Sequence, residues 1–228
     1  RFLTETLQRE GCDISQVQID PERLTALVLL GLKDRDTFPL LFVRENCADM
    51  AVDADQISEA FIAQCRALAI TGTHLSTPTT RRASQTALAY AKKHGVTRVL
   101  DIDYRPVLWG LTSPGLGERR YVASAAVSEQ LQAVLPLCDL IVGTEEEFHI
   151  AGGSTDTLEA LRAVRAVSDA TLICKRGARG ASAFESAIPA SLDDGQTGPG
   201  FPIEVFNVLG AGDGFFSGLL RGWLTGQD

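Results

Sequence analysis

The chain has little with which to bind a structural metal or form disulfides. Its five cysteines (Cys12, Cys47, Cys65, Cys138 and Cys174) are scattered and odd in number, with no Cys-x-x-Cys pair. They read as small buried hydrophobes of a reducing, cytoplasmic compartment. The three histidines, His74, His94 and His149, show no metal-binding spacing. No apolar run approaches the ~20 residues of a membrane-spanning helix, so no membrane partner is expected. A basic surface is also missing. Against 29 acidic residues stand 21 basic ones, giving a net charge of −8 and an isoelectric point near 4.9. That balance argues against a nucleic-acid partner. No Gly-x-Gly-x-x-Gly follows a strand with an acidic residue downstream, which removes a dinucleotide-binding oxidoreductase. Internal repeats and low-complexity linkers are absent. Methionine occurs once, at Met50, and the sequence opens at Arg1-Phe2-Leu3. The chain therefore reads as a piece of a longer one.

What is present is globular. The 228 residues are 45% hydrophobic and 22% charged, enough for one α/β domain with a sizeable core. Helical spacing appears over 2–10, ending at Gly11, and again over 57–66, 79–94 (closed by Gly95), 127–135, 157–167 and 212–224. Strands are expected at 17–19, 24–32, 38–43, 68–71, 98–102, 140–142, 171–174, 181–184 and 203–208. Residues 24–43 read as a β-hairpin with a loop at 33–37, part of a lid over about 16–46. Residues 192–200 read as a loop. From residue 51 onward, short apolar strands alternate with helices. This predicts a parallel sheet covered on both faces, with ligands at the C-terminal ends of its strands.

Polar residues gather at four such ends. Asp103 and Arg105 follow the strand 98–102, and an arginine there offers planar donors to a carboxylate or phosphate. The alternative is a plain strand-end ion pair. Thr144-Glu145-Glu146-Glu147 follows 140–142. Three glutamates suit a solvated helix start, or a hydrated Mg²⁺. Lys175-Arg176-Gly177-Ala178-Arg179-Gly180 follows 171–174 and suits a nucleotide, or a simple hairpin turn. The fourth is Gly210-Ala211-Gly212-Asp213, where a glycine turn runs into a helix. Unpaired N–H groups and the positive end of the helix dipole suit an anion there, and Asp213 stands beside them as a candidate proton acceptor.

Together these stretches resemble the ribokinase-like (PfkB) carbohydrate kinases over essentially the whole length. Gly210-Ala211-Gly212-Asp213 is similar to that family's anion hole and catalytic base, Thr144-Glu145-Glu146-Glu147 to its Asn-x-x-Glu magnesium motif, and Lys175-x-Gly177-x-x-Gly180 to its nucleotide loop. The hairpin is similar to its β lid. Longer stretches, Arg44-Glu45-Asn46-Cys47-Ala48-Asp49, Thr71-Gly72-Thr73-His74-Leu75-Ser76 and Asp101 through Trp109, resemble the branch acting on keto-deoxy sugar acids in inositol breakdown. The resemblance implies a three-layer α/β/α core with a small β lid. It also implies transfer of the ATP γ-phosphoryl group to a sugar-acid hydroxyl with Mg²⁺. Asp213 would be the base, and Gly210, Ala211 and Gly212 the anion hole. Lys175, Gly177 and Gly180 would border ATP, Glu147 would support Mg²⁺, and Arg44, Asp103 and Arg105 would face the sugar acid. Pairing of two copies through the lid is a further expectation. A sister sugar kinase, or a non-catalytic binding protein on the same fold, are the alternatives. Three departures stand out. Asn207-Val208-Leu209 replaces the usual Asp-Thr-Thr, Thr144 replaces Asn, and Val43 stands where keto-deoxygluconate kinases carry an aromatic. The family's opening strands and closing C-terminal segment are also missing, so these residues alone are expected to have little activity.

Overall fold

The computed structural model describes residues 2–33, 39–117 and 119–227. The central sheet has six strands in sequence order: β3 (Ala67–Thr71), β4 (Thr97–Asp101), β5 (Leu140–Thr144), β6 (Thr171–Lys175), β7 (Ala181–Phe184) and β8 (Gln196–Gly198). The first four are parallel. β7 and β8 are antiparallel additions. Before them come α1 (Phe2–Arg9) and an antiparallel pair, β1 (Leu27–Leu30) and β2 (Leu40–Val43), with Leu27 opposite Val43. The expected loop at 33–37 and Phe38 lie almost wholly outside the described residues.

Crossover helices form where caps and apolar spacing agree. In α3 (Pro78–Lys93), Thr77 accepts from the Thr80 N–H, Pro78 opens the first turn, and Ala83, Ala87, Leu88 and Ala91 are buried. α4 (Ala125–Gln132) starts at Ser124, and α6 (Thr157–Val167) at Asp156. Strand alternation divides the core between two faces. Leu100, Ile141 and Leu172 turn to one side and pack with Leu88, Leu131, Leu161 and with Phe148 of α5 (Glu145–Gly152). Val99, Leu140, Val142 and Ile173 turn to the other, where Phe216, Leu219 and Leu220 of α7 (Ala211–Thr225) cover them. The expected three-layer α/β/α core is thus present. Leu40 and Phe42 of the lid pair face inward, and the Gly117 N–H donates to the Leu40 carbonyl at 3.0 Å. Leu27, Leu29, Leu41 and Val43 point outward, exposed.

Four expected elements are corrected. Residues 17–19 and 203–208 form no strand, because neither has a ladder partner among the described residues. Phe201, Ile203 and Phe206 stay about three-quarters exposed (76%, 75% and 77%). Apolar alternation gives a strand only where another strand receives it. The helix expected over 57–66 is limited to α2 (Glu59–Ile62), capped by Ser58. A short strand, β8, lies inside the expected loop at 192–200.

Candidate active site

A glycine begins the site. A Cβ on Gly72 would lie 2.0 Å from the Ile102 carbonyl oxygen. Its absence lets the chain leaving β3 touch the chain leaving β4. The Thr73 hydroxyl consequently donates to Asp103 Oδ2 at 2.6 Å. Asp103 has φ +32°, a region Asp tolerates better than most residues. Its other oxygen meets Arg105 Nε at 2.9 Å. Asp103 and Arg105 therefore sit just past β4 as expected, held as a unit.

At the end of β5 the acidic run is more organised than a solvated helix start. The Thr144 hydroxyl accepts from the Glu147 N–H at 3.2 Å, and Glu147 Oε2 accepts from the Thr144 N–H at 2.7 Å, a reciprocal capping box. This folds Glu147 inward until only 8% is exposed. Glu145 instead pairs with Arg179. The box is the reason α5 begins at once after β5.

Asp101 and Lys175 end their strands on the α7 side, two residues beyond Val99 and Ile173. Lys175 Nζ lies 3.2 Å from Asp101 Oδ1 and 3.6 Å from Glu147 Oε2. Burial pulls the Lys175 ammonium down, but Glu147 and Asp101 together outweigh it and hold Lys175 above its ordinary range. Burial pushes Asp101 up to about 6, reinforced by Glu147 and opposed by Lys175. Two carboxylates share one ammonium, so one of them is driven toward protonation.

The glycine turn completes this edge. Gly210, at φ +76°, is the N-cap of α7, and no side chain caps the helix. The Ala211 N–H is directed to the Val208 carbonyl at 3.3 Å, so it is engaged within the turn. A Cβ on Gly212 would lie 3.8 Å from Lys175 Nζ. Asp213 follows in the exposed first turn. Residues 176–180 form a hairpin turn in which the Arg176 N–H donates to the Gly180 carbonyl at 2.8 Å. A Cβ on Gly180 would meet the Gly198 oxygen at 2.0 Å, and one on Gly200 the Ala178 oxygen at 1.9 Å. Gly180 thereby packs the turn against 198–200, while Gly177, at φ +57°, shapes it.

Residues 103–105, 144–147, 175–180 and 210–213 therefore meet at one edge of the sheet. Arg44 stands apart, its Nε 2.9 Å from Asp49 Oδ2. Burial first and then Arg44 push the His74 imidazole below its ordinary value, against Asp49 and Asp103. The sequence does not single out Asp101, Thr73 or His74. Only the two-residue strand period from Val99 to Asp101 pointed to the first. Among the described residues no three His, Cys, Asp or Glu side chains are grouped to hold a metal ion unaided. The hard carboxylate oxygens of Glu147 fit Mg²⁺, which takes one or two carboxylates and completes its shell with phosphate and water.

Relatives share this arrangement of elements. Two 5-dehydro-2-deoxygluconokinases match nearly the whole chain. That of Geobacillus thermodenitrificans is 31% identical over 98% of this chain and 64% of its own length. 5-Dehydro-2-deoxygluconokinase 2 of Bacillus cereus is 32% identical over 100% and 65%. The chain thus spans a little under two-thirds of the length of these relatives. Among solved structures, a putative ribokinase II from E. coli in complex with ATP and Mg²⁺ superposes with a TM-score of 0.81 at 21% identity, covering 100% of this chain and 67% of that one. The fructokinase of Vibrio cholerae O395, bound to fructose, ADP and calcium ion, gives 0.79 at 24% identity over 100% and 68%. These two establish the fold. The pfkB family carbohydrate kinase profile matches residues 1–228, and the chain belongs to that family.

Proposed function

We propose that the complete gene product transfers the γ-phosphoryl group of ATP to a hydroxyl of a keto-deoxy sugar acid, 5-dehydro-2-deoxy-D-gluconate. The observation carrying this reading is the part-buried Lys175 ammonium beside the uncapped, glycine-built start of α7. In phosphoryl transfer the protein supplies positioning and electrostatics. Asp213 accepts the proton of the sugar hydroxyl as that oxygen bonds to the γ-phosphorus and the bond to the ADP oxygen breaks. The turn at Gly210, Ala211 and Gly212 faces the transferring group. Lys175, Gly177 and Gly180 border the nucleotide, and Lys175 offsets its negative charge. Glu147 would help hold Mg²⁺, which would supply charge neutralisation to the phosphates. Arg105, oriented by Asp103, suits the substrate carboxylate; Arg44, held by Asp49, would have to leave that partner to join it. The curated relatives' names support the substrate.

The test is ADP release by the complete gene product on a panel of sugar acids, 2-keto-3-deoxygluconate and fructose. Turnover preferring 5-dehydro-2-deoxy-D-gluconate supports the reading. Turnover preferring 2-keto-3-deoxygluconate or fructose makes it a sister kinase, and none at all a binding protein. Asp213→Asn should lower kcat by about 10²–10⁴-fold. Retained kcat would return Asp213 to a simple helix-start role. The exposed lid face of Leu27, Leu29, Leu41 and Val43 supports pairing of two copies through the lid, which Leu29→Lys should abolish in sedimentation. A cytoplasmic setting agrees with the free cysteines. No described helix is long and apolar enough to cross a membrane.

A further inference from the structure

The buried charge cluster contains one group that the functional reading leaves idle. Asp101 is 6% exposed. It is separated from the sugar-side pair: Asp103, two residues on, takes Thr73 and Arg105, while among the described residues Asp101 pairs with Lys175 alone. The contact is not between neighbours. β4 and β6 flank β5, so the Lys175 side chain leans across β5 to reach Asp101. Glu147 is a weaker anchor. Its Oε2 is already engaged by the Thr144 N–H at 2.7 Å and stands 3.6 Å from the ammonium, against 3.2 Å for Asp101. Burying a second carboxylate beside one ammonium leaves a surplus negative charge, and such burial is poor evidence of a stabilising role. What the arrangement does fix is where the ammonium lies, at the Gly212 turn.

We propose that Asp101 is a positioning residue, which acts through Lys175: with Glu147 it fixes the Lys175 ammonium beside Gly212, where that cation meets the phosphoryl group in transfer. The inference rests on the phosphoryl-transfer reading above. It separates two aspartates of one segment by task. Asp103 orients Arg105 toward the sugar acid, and Asp101 orients Lys175 toward the phosphates. Because a lysine stem is flexible and its ammonium is a point charge without directional fork geometry, location has to be imposed from outside. A cation displaced by an ångström from the developing charge loses much of its effect.

The experiment is a double-mutant cycle in the complete gene product: Asp101→Asn, Lys175→Met and both together. Turnover, KM for sugar acid and ATP, and thermal midpoint are measured for each. Asp101→Asn is expected to lower kcat by roughly 10- to 100-fold, with sugar-acid KM unchanged and a folded protein of similar midpoint. In the Lys175→Met background it should change kcat no further. Additive losses, an unchanged kcat, or a rise confined to sugar-acid KM would overturn the assignment. Should Asp101→Asn fail to fold, Asp101→Glu takes its place in the cycle. It keeps the charge but moves it by one methylene, and the same non-additivity is required of it. If the wild-type protein transfers no phosphoryl group to any acceptor, the functional reading itself falls. An active wild type with an additive cycle refutes only the role of Asp101.

Discussion

Gly72→Ala is the sharpest test of how the site is held. The added Cβ would stand 2.0 Å from the Ile102 carbonyl oxygen, so the two backbones must part by about 1 Å to reach even the 3.0 Å limit of real Cβ contacts. Backbone stands on both sides, and no flexible side chain can swing away. Overpacking of this kind costs about 3 kcal/mol at the upper end of its range. The backbone of Gly72 is not left-handed, so the smaller unfolded-state entropy of alanine returns up to about 1 kcal/mol. The net loss is about 2 kcal/mol, or roughly 4–8 °C in Tm for a domain of this size. Separation of β3 from β4 also withdraws Thr73 from Asp103, so the loss of sugar-acid affinity should exceed the loss of ATP affinity. Gly218→Ala in α7 is the control. Nothing lies within 4 Å of its added Cβ, and an exposed helical Gly→Ala exchange gains about 0.5–1 kcal/mol. The same chemical change should thus give opposite signs in thermal and denaturant unfolding. Equal or higher stability for Gly72→Ala would refute the close approach of β3 and β4.

Three further outcomes are expected. Asp101 moves from an ordinary 3.8 to about 6 on folding. An upward move for an acid contributes stability below about pH 4 that is lost as pH rises through 6, about 3 kcal/mol in all. Urea unfolding across this window should show the slope in the wild type and lose it in Asp101→Asn, and identical slopes would refute the burial effect. Arg105→Ala should weaken the sugar acid by roughly 10- to 100-fold while ATP binding holds; calorimetry showing equal weakening of both returns Arg105 to a strand-end ion pair. Glu147→Gln preserves the capping box, since glutamine serves at that position, so Tm should change little while the Mg²⁺ concentration for half-maximal rate rises. A titration overlaying the wild type would remove Glu147 from the metal.

Much of the fold was legible because burial leaves a period in the sequence. α6 and β7 have the bounds their apolar spacing predicts, since both pack on the core by regular faces. Residues 203–208 carry an equally good strand pattern and form none. Intrinsic preference is local, whereas a ladder needs a partner that no local pattern reveals. Three of the four polar groups were legible for a related reason: parallel β4, β5 and β6 deliver their C-terminal residues to one edge, so order along the chain becomes adjacency in space. The fourth, Gly210–Asp213, follows no strand and reaches that edge with the start of α7. Burial of charge was not legible. Glu147 reads as the third of three solvated glutamates until the capping box turns it inward. Asp101 reads as a strand residue until Lys175 reaches it across an intervening strand. Arg44 reads as free for a ligand, yet Asp49, five residues on, already holds it.

The docking of α7 has a consequence for the order of events in synthesis. Phe216, Leu219 and Leu220 cover Val99, Leu140, Val142 and Ile173, residues that leave the ribosome long before them. Arg66, just before β3, bonds the Leu224 carbonyl 158 residues later. A chain growing at about 5–20 residues per second therefore carries a formed sheet with one face uncovered for some seconds. Loop closure over such separations is slow compared with local pairing. The nascent protein is consequently most exposed to misassembly when its core looks nearly finished. The turn bearing Asp213 arrives with the helix that ends this interval, so the chemistry proposed for this edge becomes available only as that face is covered.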